Sequence, residues 1–272
     1  MNFLARLFRS GPGPSRTGQV VALTRAQLTR PHTPAGDPDA QRRLCRGMRP
    51  AGPGRLRASL IARTQFFDER VLAALSAGIR QVVILGAGYD DRALRFRSPG
   101  VRFFEVDHPA TQRDKARRLR AMPARDGGPV LAAADFRHDD VTAVLRVSGH
   151  AAGQPTLFLC EGLLVYLGRP ACLRLLSAAR ASAAEGSELV ASLATHREGA
   201  DSARVAAIAN SRRRSSAEEP WVTILPVTAH LELLGEAGWV VDRSVDAAQL
   251  GTGAEAGRSM LVTARPATSV TT

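Results

Sequence analysis

Residues 81–91, with the sequence QVVILGAGYDD, decide the expected fold of this chain. Gln81–Leu85 is an apolar run without polar alternation, which is typical of a parallel strand buried on both faces. Gly86 and Gly88 follow at once, and glycines at a strand-to-turn junction let a ligand approach the backbone closely. Because parallel sheets bind ligands beyond the carboxyl ends of their strands, we expect this turn to border a binding site.

Outward from this stretch, the chain alternates between strand and helix patterns. Further strands are predicted over residues 101–106, 130–134, 155–160, 188–193, 239–242 and 260–264. Helices are predicted over residues 18–29, 56–77, 109–122, 140–147, 169–184 and 228–237. Repeated β-α units indicate an α/β sandwich with a mostly parallel, seven-stranded sheet and helices on both faces. We expect an N-terminal helical lid over residues 1–78 and a core over residues 79–272, together forming one integrated domain.

The chain is basic, and the excess charge is concentrated near its start. Its 272 residues include 37 Lys and Arg against 25 Asp and Glu, a balance of +12, of which residues 1–70 contribute +9 through thirteen Arg and four acids. Such basicity can mark nucleic-acid binding. However, Lys115 is the only lysine, which indicates a composition bias, and aromatic residues for base stacking are scarce. We therefore expect no nucleic-acid partner.

The three cysteines, Cys45, Cys160 and Cys172, form no CxxC motif and no even set. This pattern argues against a disulfide-stapled secreted protein and against a zinc site, so no metal is expected. The sequence has no run of about 18 apolar residues, so no membrane span is expected. The apolar stretch of Met1–Phe8 is broken at Arg6 and is too short for the core of a signal peptide. These features predict a cytoplasmic protein.

Acidic residues end the second, third and fourth predicted strands. Asp107 lies 19 residues after Gly88, and a carboxylate at about this spacing can accept hydrogen bonds from ribose hydroxyls. Asp135, followed by Phe136, ends the third strand, and Glu161 ends the fourth. Because these strand ends share one edge of the sheet, we expect the acids to surround one ligand that contains adenosine.

That ligand is expected to lack phosphates. A dinucleotide fingerprint requires a third glycine, and this chain has Asp91 at that position. An acidic rim repels phosphate groups, whereas it suits a sulfonium and an amino group. S-adenosylmethionine therefore fits the pattern better than NAD or ATP.

Several stretches, in consistent order over roughly residues 15 to 265, match a known family. They are residues 15–17 (SRT), 25–26 (RA), 37–40 (DPxA), 62–68 (ARTxxFD), 83–95 (VILGAGYDxRxxR), 104–109 (FEVDHP), Lys115, 134–137 (ADFR), 161–167 (EGLLVYL) and 238–239 (GW). On these motifs the chain resembles the leucine carboxyl methyltransferase-like family of class I S-adenosylmethionine-dependent methyltransferases, particularly its bacterial members of the natural-product type. The resemblance implies a Rossmann-like class I methyltransferase sandwich with S-adenosylmethionine as cofactor.

The resemblance also implies roles around the methionine part of the cofactor. Arg63 would reach its carboxylate, and Glu161 would lie near its amino group or sulfonium. Gly86, Ala87 and Gly88 would let this part lie on the backbone. Arg63 as a helix surface charge and Glu161 as a helix N-cap remain alternative interpretations.

Further roles implied by the resemblance concern the adenosine part and the acceptor. Asp107 would hold the ribose hydroxyls, and Asp135 with Phe136 would bracket the adenine. Tyr166 and Arg16 are the candidate catalytic residues, both on the acceptor side. A position of Tyr166 in the core is an equally good interpretation.

The sequence predicts methyl transfer to a small acceptor. Because the Arg-rich start of the chain could attract an anion, we expect O-methylation of a carboxylate on a small secondary metabolite, with a phenolic hydroxyl as the second option. Alternatives are methylation of a protein or peptide C-terminal carboxylate and a cofactor-binding member without turnover. Asp91 is expected to add an acid beside the methionine pocket, and residues 194–226 contain no family motif.

Overall fold

The computed structural model describes residues 13–48, 57–123, 127–196, 199, 220–247 and 259–268. The interrupted apolar segment Met1–Phe8 lies outside the described residues. So does most of the stretch 194–226, which has no family motif.

The described residues include a seven-stranded sheet. Its strands are β1 (Gln81–Leu85), β2 (Arg102–Asp107), β3 (Val130–Ala133), β4 (Thr156–Cys160), β5 (Glu188–Ala194), β6 (Trp239–Asp246) and β7 (Ser259–Pro266). Their order across the sheet is β3-β2-β1-β4-β5-β7-β6. Strands β1 to β5 run parallel, and β7 runs antiparallel to β5 and β6. The predicted seven-stranded, mostly parallel sheet is confirmed.

Helices connect the strands and cover both faces of the sheet. They are α1 (Arg16–Arg25), α2 (Ala40–Leu44), α3 (Arg57–Ser76), α4 (Arg92–Arg95), α5 (Pro109–Arg120), α6 (Val141–Val147), α7 (Arg169–Ala181) and α8 (Val227–Glu236), with a short 3-10 helix at Leu164–Tyr166. The ends of the predicted helices differ from the observed ends by at most four residues. The sequence pattern does not predict α2, α4 or the 3-10 helix, because such short helices do not display a 3.6-residue period.

Alternate residues of β1 point to opposite faces of the sheet, where they join different apolar clusters. Val83 and Leu85 pack among residues of α6, α7 and α8, whereas Val82 and Ile84 pack with Phe67 of α3. Both faces of this strand are therefore covered, which explains its continuous apolar sequence. The strand presents Gly86 at its carboxyl end.

The first two helices pack against the turn that follows β1. Ala22 of α1 and Leu44 of α2 form a small cluster with Cys45, Met48 and Tyr89. The Tyr89 hydroxyl donates to Asp114 Oδ2 of α5 (2.7 Å). The division into a lid over residues 1–78 and a core over residues 79–272 stays a prediction.

The described residues include neither a membrane-spanning helix nor a metal-binding cluster. Within these ranges, no helix combines the length and apolar character that a membrane span requires. In the same part of the chain, no group of three or more His, Cys, Asp or Glu side chains is arranged to hold a metal ion. Cys45, Cys160 and Cys172 are buried thiols outside any disulfide.

Candidate functional site

A cavity of about 740 Å³ lies at the carboxyl ends of β1, β2 and β4 and is bordered by α1 and α3. It brings together nine of the ten residues that the sequence predicts for the site. They are Arg63, Gly86, Ala87, Gly88, Asp107, Asp135, Phe136, Glu161 and Tyr166. The tenth, Arg16, is exposed in the first turn of α1 and does not line this cavity.

The floor of the cavity is the turn after β1. Gly86 has a φ of +67°, and its N–H donates to the Val106 carbonyl oxygen (2.8 Å). A Cβ atom at this position would lie 2.9 Å from Leu163 Cδ1. Gly88 has a φ of +49°. Both the backbone conformation and the close approach of Leu163 therefore require glycine at residue 86.

Replacing Gly86 by Ala tests this requirement. We expect Gly86→Ala to lower the free energy of unfolding by roughly 2–4 kcal/mol, because left-handed strain adds to overpacking against Leu163. Gly100→Ala is the matched control, since Gly100 has a φ of +73° and no heavy atom within 4 Å of an added Cβ. It is expected to lose only about 1–2 kcal/mol. Equal losses in urea unfolding would contradict the packing argument.

Asp107 at the end of β2 is held by the backbone of two neighbouring loops. Its Oδ2 accepts from the Gly88 N–H (2.6 Å), and its Oδ1 accepts from the His108 N–H (2.6 Å). Burial raises the pKa of Asp107 above its ordinary value, although these two N–H groups act in the opposite direction. A carboxylate has about four acceptor positions, so both oxygens keep capacity for a ligand's hydroxyl groups.

Glu161, just after β4, is surrounded by three arginines. Its Oε1 contacts Arg25 Nη2 (2.6 Å) and Arg63 Nε (2.9 Å), and its Oε2 contacts Arg92 Nη1 (2.7 Å). Burial raises the pKa of Glu161, but the three guanidinium groups outweigh it and hold the pKa well below the ordinary value. The alternative of a helix N-cap does not hold, since Leu163 precedes the 3-10 helix.

Arg63 of α3 is only partly exposed and lies against the loop after β4. Its side chain is 22% exposed, and Nη2 lies 3.3 Å from the position of a Cβ on Gly162. Nε donates to Glu161 Oε1 (2.9 Å), which holds the guanidinium beside Glu161, and Arg63 lines the cavity. The alternative of a helix surface charge therefore does not describe this residue.

Asp135 and Phe136 lie after β3, at the far end of the cavity. Asp135 Oδ1 accepts from the Arg137 N–H (3.0 Å), and His138 Nδ1 donates to Oδ2 (3.1 Å). Burial raises the pKa of Asp135, but these contacts outweigh it and lower the pKa overall. Phe136 is 8% exposed and packs on the adjoining apolar cluster. The pair combines an ionised acceptor with a flat apolar wall.

Asp91 does not lie beside the cavity, so the sequence-based expectation for it was wrong. It is fully buried and precedes α4, where Oδ1 contacts Arg30 Nη1 (2.6 Å) and Oδ2 contacts Arg95 Nε (2.7 Å). The chain turns away from the cavity after Asp90, the last residue of this turn that lines it. The two guanidinium groups outweigh the effect of burial and lower the pKa of Asp91 to about 2.

Asp91 belongs to a buried ion network that the sequence analysis missed. The side chains of its members are all at most 5% exposed: Arg25, Arg30, Arg92, Arg95, Asp68, Asp90, Asp91 and Glu161. Four cations thus balance four anions. Arg92 links the network to Glu161, and Asp68 joins Arg92 to Arg30 (2.7 Å each). Arg92 lies 24 residues from Asp68 and 69 residues from Glu161 in the sequence, and such distant partners cannot be paired from the sequence alone.

Four described arginines from the Arg-rich start of the chain are paired with acidic side chains. Arg25 and Arg30 belong to the buried network, Arg42 pairs with Asp39, and Arg43 pairs with Asp37. Of these four, only Arg25 lines the cavity, where it contacts Asp90 and Glu161. These four side chains therefore do not support the electrostatic argument for an anionic acceptor.

Outside this network, Glu105 and Lys115 form another buried ion pair. The Lys115 ammonium contacts Glu105 Oε2 and donates to the Asp90 carbonyl oxygen (2.7 Å). Glu105 Oε1 has no hydrogen-bond partner in the described part of the chain. Burial raises the pKa of Glu105 from 4.5 to about 7, although Lys115 acts to lower it.

This pair predicts a pH-dependent stability. Because the folded state holds the Glu105 proton more tightly, its stabilising contribution is full below pH 4.5 and is lost as the pH rises through about 7. Between pH 4.5 and about 7, we expect the wild type to lose on the order of 2 kcal/mol more free energy of unfolding than Glu105→Gln, because the amide does not titrate. Urea unfolding across this range measures it, with the exposed Glu236→Gln as control. Parallel pH profiles of the wild type and Glu105→Gln would contradict the assignment.

The chain is similar to a known protein family and to bacterial relatives. Residues 20–180 match the family described as leucine carboxyl methyltransferase. A protein of Mycolicibacterium paratuberculosis is 43% identical over 142 residues, which cover 52% of this chain and 46% of the relative. One of Streptomyces avermitilis is 36% identical over 189 residues, 68% of this chain and 63% of the relative. Both relatives are assigned by name to the S-adenosyl-L-methionine-dependent methyltransferases.

Solved structures of low sequence identity share the fold. A protein of Thermobifida fusca, assigned as a methyltransferase, aligns with a TM-score of 0.60 and 20% identity over 94% of this chain and 96% of its own. Magnesium protoporphyrin IX methyltransferase of Synechocystis with bound SAH has a TM-score of 0.55 and 13% identity, over 84% and 94% of the two chains.

The alignments with the two bacterial relatives, from Mycolicibacterium paratuberculosis and Streptomyces avermitilis, span about half to two thirds of the length of those relatives. The family match over residues 20–180 covers more than half of this chain, so the chain belongs to the leucine carboxyl methyltransferase family.

Proposed function

We propose that the chain is an S-adenosylmethionine-dependent methyltransferase that methylates an oxygen atom of a small secondary metabolite. The observation that carries the proposal is the geometry of Asp107. Its carboxylate is fixed by two backbone N–H groups directly beside the glycine turn, at the carboxyl edge of a parallel sheet. This arrangement suits a ribose whose hydroxyls donate to a carboxylate.

The residues around the turn fit the methionine part of this cofactor. Arg63 would bind its carboxylate through the outer nitrogens, since Nε is already engaged by Glu161. Glu161 receives three arginine contacts, and the remaining acceptor position on Oε2 would take the amino group. Gly86, Ala87 and Gly88 line the cavity and would let this part lie on the backbone.

The other end of the cavity fits the adenosine part. Asp107 would accept from the ribose hydroxyls, and Asp135 would accept from the exocyclic amine of the adenine. Phe136 would contact the flat face of the base. Tyr166 lines the same cavity and stays our candidate on the acceptor side, whereas Arg16 is only a candidate for the cavity mouth because it does not line the wall.

When bound, the cofactor would supply an activated methyl group on a positively charged sulfur. The chain's own contribution is alignment of the acceptor and exclusion of water. A carboxylate acceptor would need no base, whereas a phenol gains from one, since its pKa is near 10. Glu161 is a carboxylate of the cavity with a buried side chain, but its lowered pKa makes it a poor base.

Methyl transfer itself is tested by incubating the full chain with isotopically labelled S-adenosylmethionine and pairs of small aromatic hydroxyl and carboxyl compounds. We expect labelled methyl to appear on oxygen in one member of a pair, with equimolar S-adenosylhomocysteine. Asp107→Asn is the control, and it is expected to abolish the product. Product formation that is equal in the wild type and in Asp107→Asn would contradict the proposed site. Formation of no labelled product, with cofactor bound, would favour a member without turnover.

A further inference from the structure

Besides the residues proposed for the cofactor, the cavity is lined by a second set of residues, whose part of the cavity is here called the acceptor chamber. Its wall is formed by α1, by α3, by residues 165–167, by the end of β5 and by residues 220–221. The apolar side chains on this wall include Val21, Leu60, Val165, Ala194 and Pro220. The described wall of the chamber therefore carries several apolar side chains.

Two polar aromatic residues, Tyr166 and Trp221, line the acceptor chamber. The chain contains only two Trp and two Tyr. Trp239 and Tyr89 are buried in the core, with 2% and 1% exposed. The other two, Tyr166 and Trp221, are partly exposed and both line the acceptor chamber. Both half-exposed polar aromatics of the chain thus lie on one wall.

Backbone hydrogen bonds bring these two residues together. The N–H groups of Val222 and Thr223 both donate to the Val165 carbonyl oxygen (2.8 and 3.1 Å). The Thr223 hydroxyl also donates to the Leu167 carbonyl oxygen. Residue 221 is consequently tied beside the 3-10 helix that contains Tyr166. Two aromatic side chains that line one cavity suit a flat ligand, which can stack on a ring or contact its edge.

The charges of the acceptor chamber argue against an anionic occupant. Among the described residues of its wall, the charged side chains are Arg25 and Arg63, and both contact Glu161. Arg25 is further engaged by Asp90 (3.0 Å) and by the hydroxyl of Thr64 (3.4 Å). A carboxylate placed here would have to compete with Glu161 for a cation, and an unpaired buried charge is strongly unfavourable.

We propose that the methyl acceptor is a planar, uncharged aromatic molecule with a free hydroxyl group, which binds against Tyr166 and Trp221. This inference rests on the proposed methyl transfer. The new bond joins the acceptor oxygen to the methyl carbon as the carbon–sulfur bond breaks with its electron pair left on sulfur. The phenolic proton goes to solvent. Neutral hydroxyls on the wall, such as those of Ser59 and Ser192, provide polar contacts without adding charge.

The test compares 2-naphthol with 2-naphthoate, which have the same ring system and differ in charge. Each is titrated calorimetrically into the full chain saturated with S-adenosylhomocysteine. We expect the naphthol to bind at least about tenfold more tightly than the naphthoate, because only the naphthoate carries an uncompensated charge. Trp221→Ser is expected to weaken naphthol binding about tenfold, whereas Trp221→Phe, which keeps a flat ring, retains most of the affinity.

The outcomes separate this inference from the proposed function. S-adenosylhomocysteine is titrated first into every variant, and equal affinities for it show that Trp221→Ser is folded and keeps the cofactor site. If the wild type does not bind S-adenosylhomocysteine, the proposed function itself fails. If it binds and the naphthoate is preferred, or neither probe binds, the acceptor class is wrong. Unchanged naphthol binding in Trp221→Ser would overturn the assigned location.

Discussion

Replacing Asp107 by Asn is expected to weaken the binding of S-adenosylhomocysteine by at least about 100-fold. The carboxylate already accepts two backbone N–H groups and would accept two ribose hydroxyls. A hydrogen bond to a charged group contributes roughly 1.5–3 kcal/mol, so two such bonds account for this loss. The amide also brings an N–H₂ donor that would face a backbone N–H. Calorimetric titration of both proteins measures the effect.

The matched control is the same change at an exposed carboxylate. Asp242 pairs with Arg265 on the surface (3.0 Å) and does not line the cavity. Asp242→Asn is expected to leave the affinity unchanged within about twofold, since exposed pairs contribute little. Comparable losses in both variants, or retained affinity in Asp107→Asn, would remove Asp107 from the cofactor site.

Replacing Asp91 by Asn is expected to lower the free energy of unfolding by about 3–5 kcal/mol. This residue is fully buried and holds Arg30 and Arg95 at once. Removing its charge leaves two buried guanidinium groups undercompensated, and the breaking of a buried pair is strongly destabilising. The exposed pair of Asp39 and Arg42 provides the control, and Asp39→Asn is expected to cost less than about 1 kcal/mol.

The pH dependence of the Asp91→Asn effect identifies its cause. Because the pKa of Asp91 is lowered from 3.8 to about 2, its stabilising contribution is full above the unfolded value and is lost as the pH falls toward 2. The difference in unfolding free energy between the wild type and Asp91→Asn should therefore be constant above about pH 4 and shrink below it. A difference that is independent of pH would point to packing instead of charge.

The sequence predicts the sheet well because its parallel strands are buried on both faces. Gln81–Leu85 is predicted with its observed ends, since its residues are all buried and a glycine ends the run. Strand β6 is observed four residues longer than predicted. Much of that extra length is exposed and polar, so it lacks the apolar pattern on which the prediction depends.

The positions of Asp107, Asp135 and Glu161 around one cavity follow from topology. Acids at the ends of neighbouring parallel strands meet at one edge of the sheet, and the structure brings them to one cavity as predicted. The roles of these residues toward the cofactor stay predictions. Their local partners, such as the two backbone donors of Asp107, depend on loop geometry that spacing alone does not give.

The buried ion network shows where sequence reasoning ends. Asp91 follows the glycine turn directly, so adjacency suggests the cavity, but its partners are Arg95 on α4 and Arg30 near the start of the chain. An arginine beside a loop looks the same in sequence whether it is solvated or buried in a network. Only the packing of α1 and α3 against the turn after β1 decides which carboxylate Arg25 and Arg30 meet.

Calorimetric titration of the folded full chain with S-adenosylhomocysteine, with NAD as the comparison ligand, tests the cofactor site most directly. The geometry of Asp107, Arg63 and the turn at Gly86 predicts micromolar binding at one site for the first ligand and no binding of NAD. Absence of S-adenosylhomocysteine binding in protein shown to be folded, or equal binding of NAD, would contradict the assignment of this cavity.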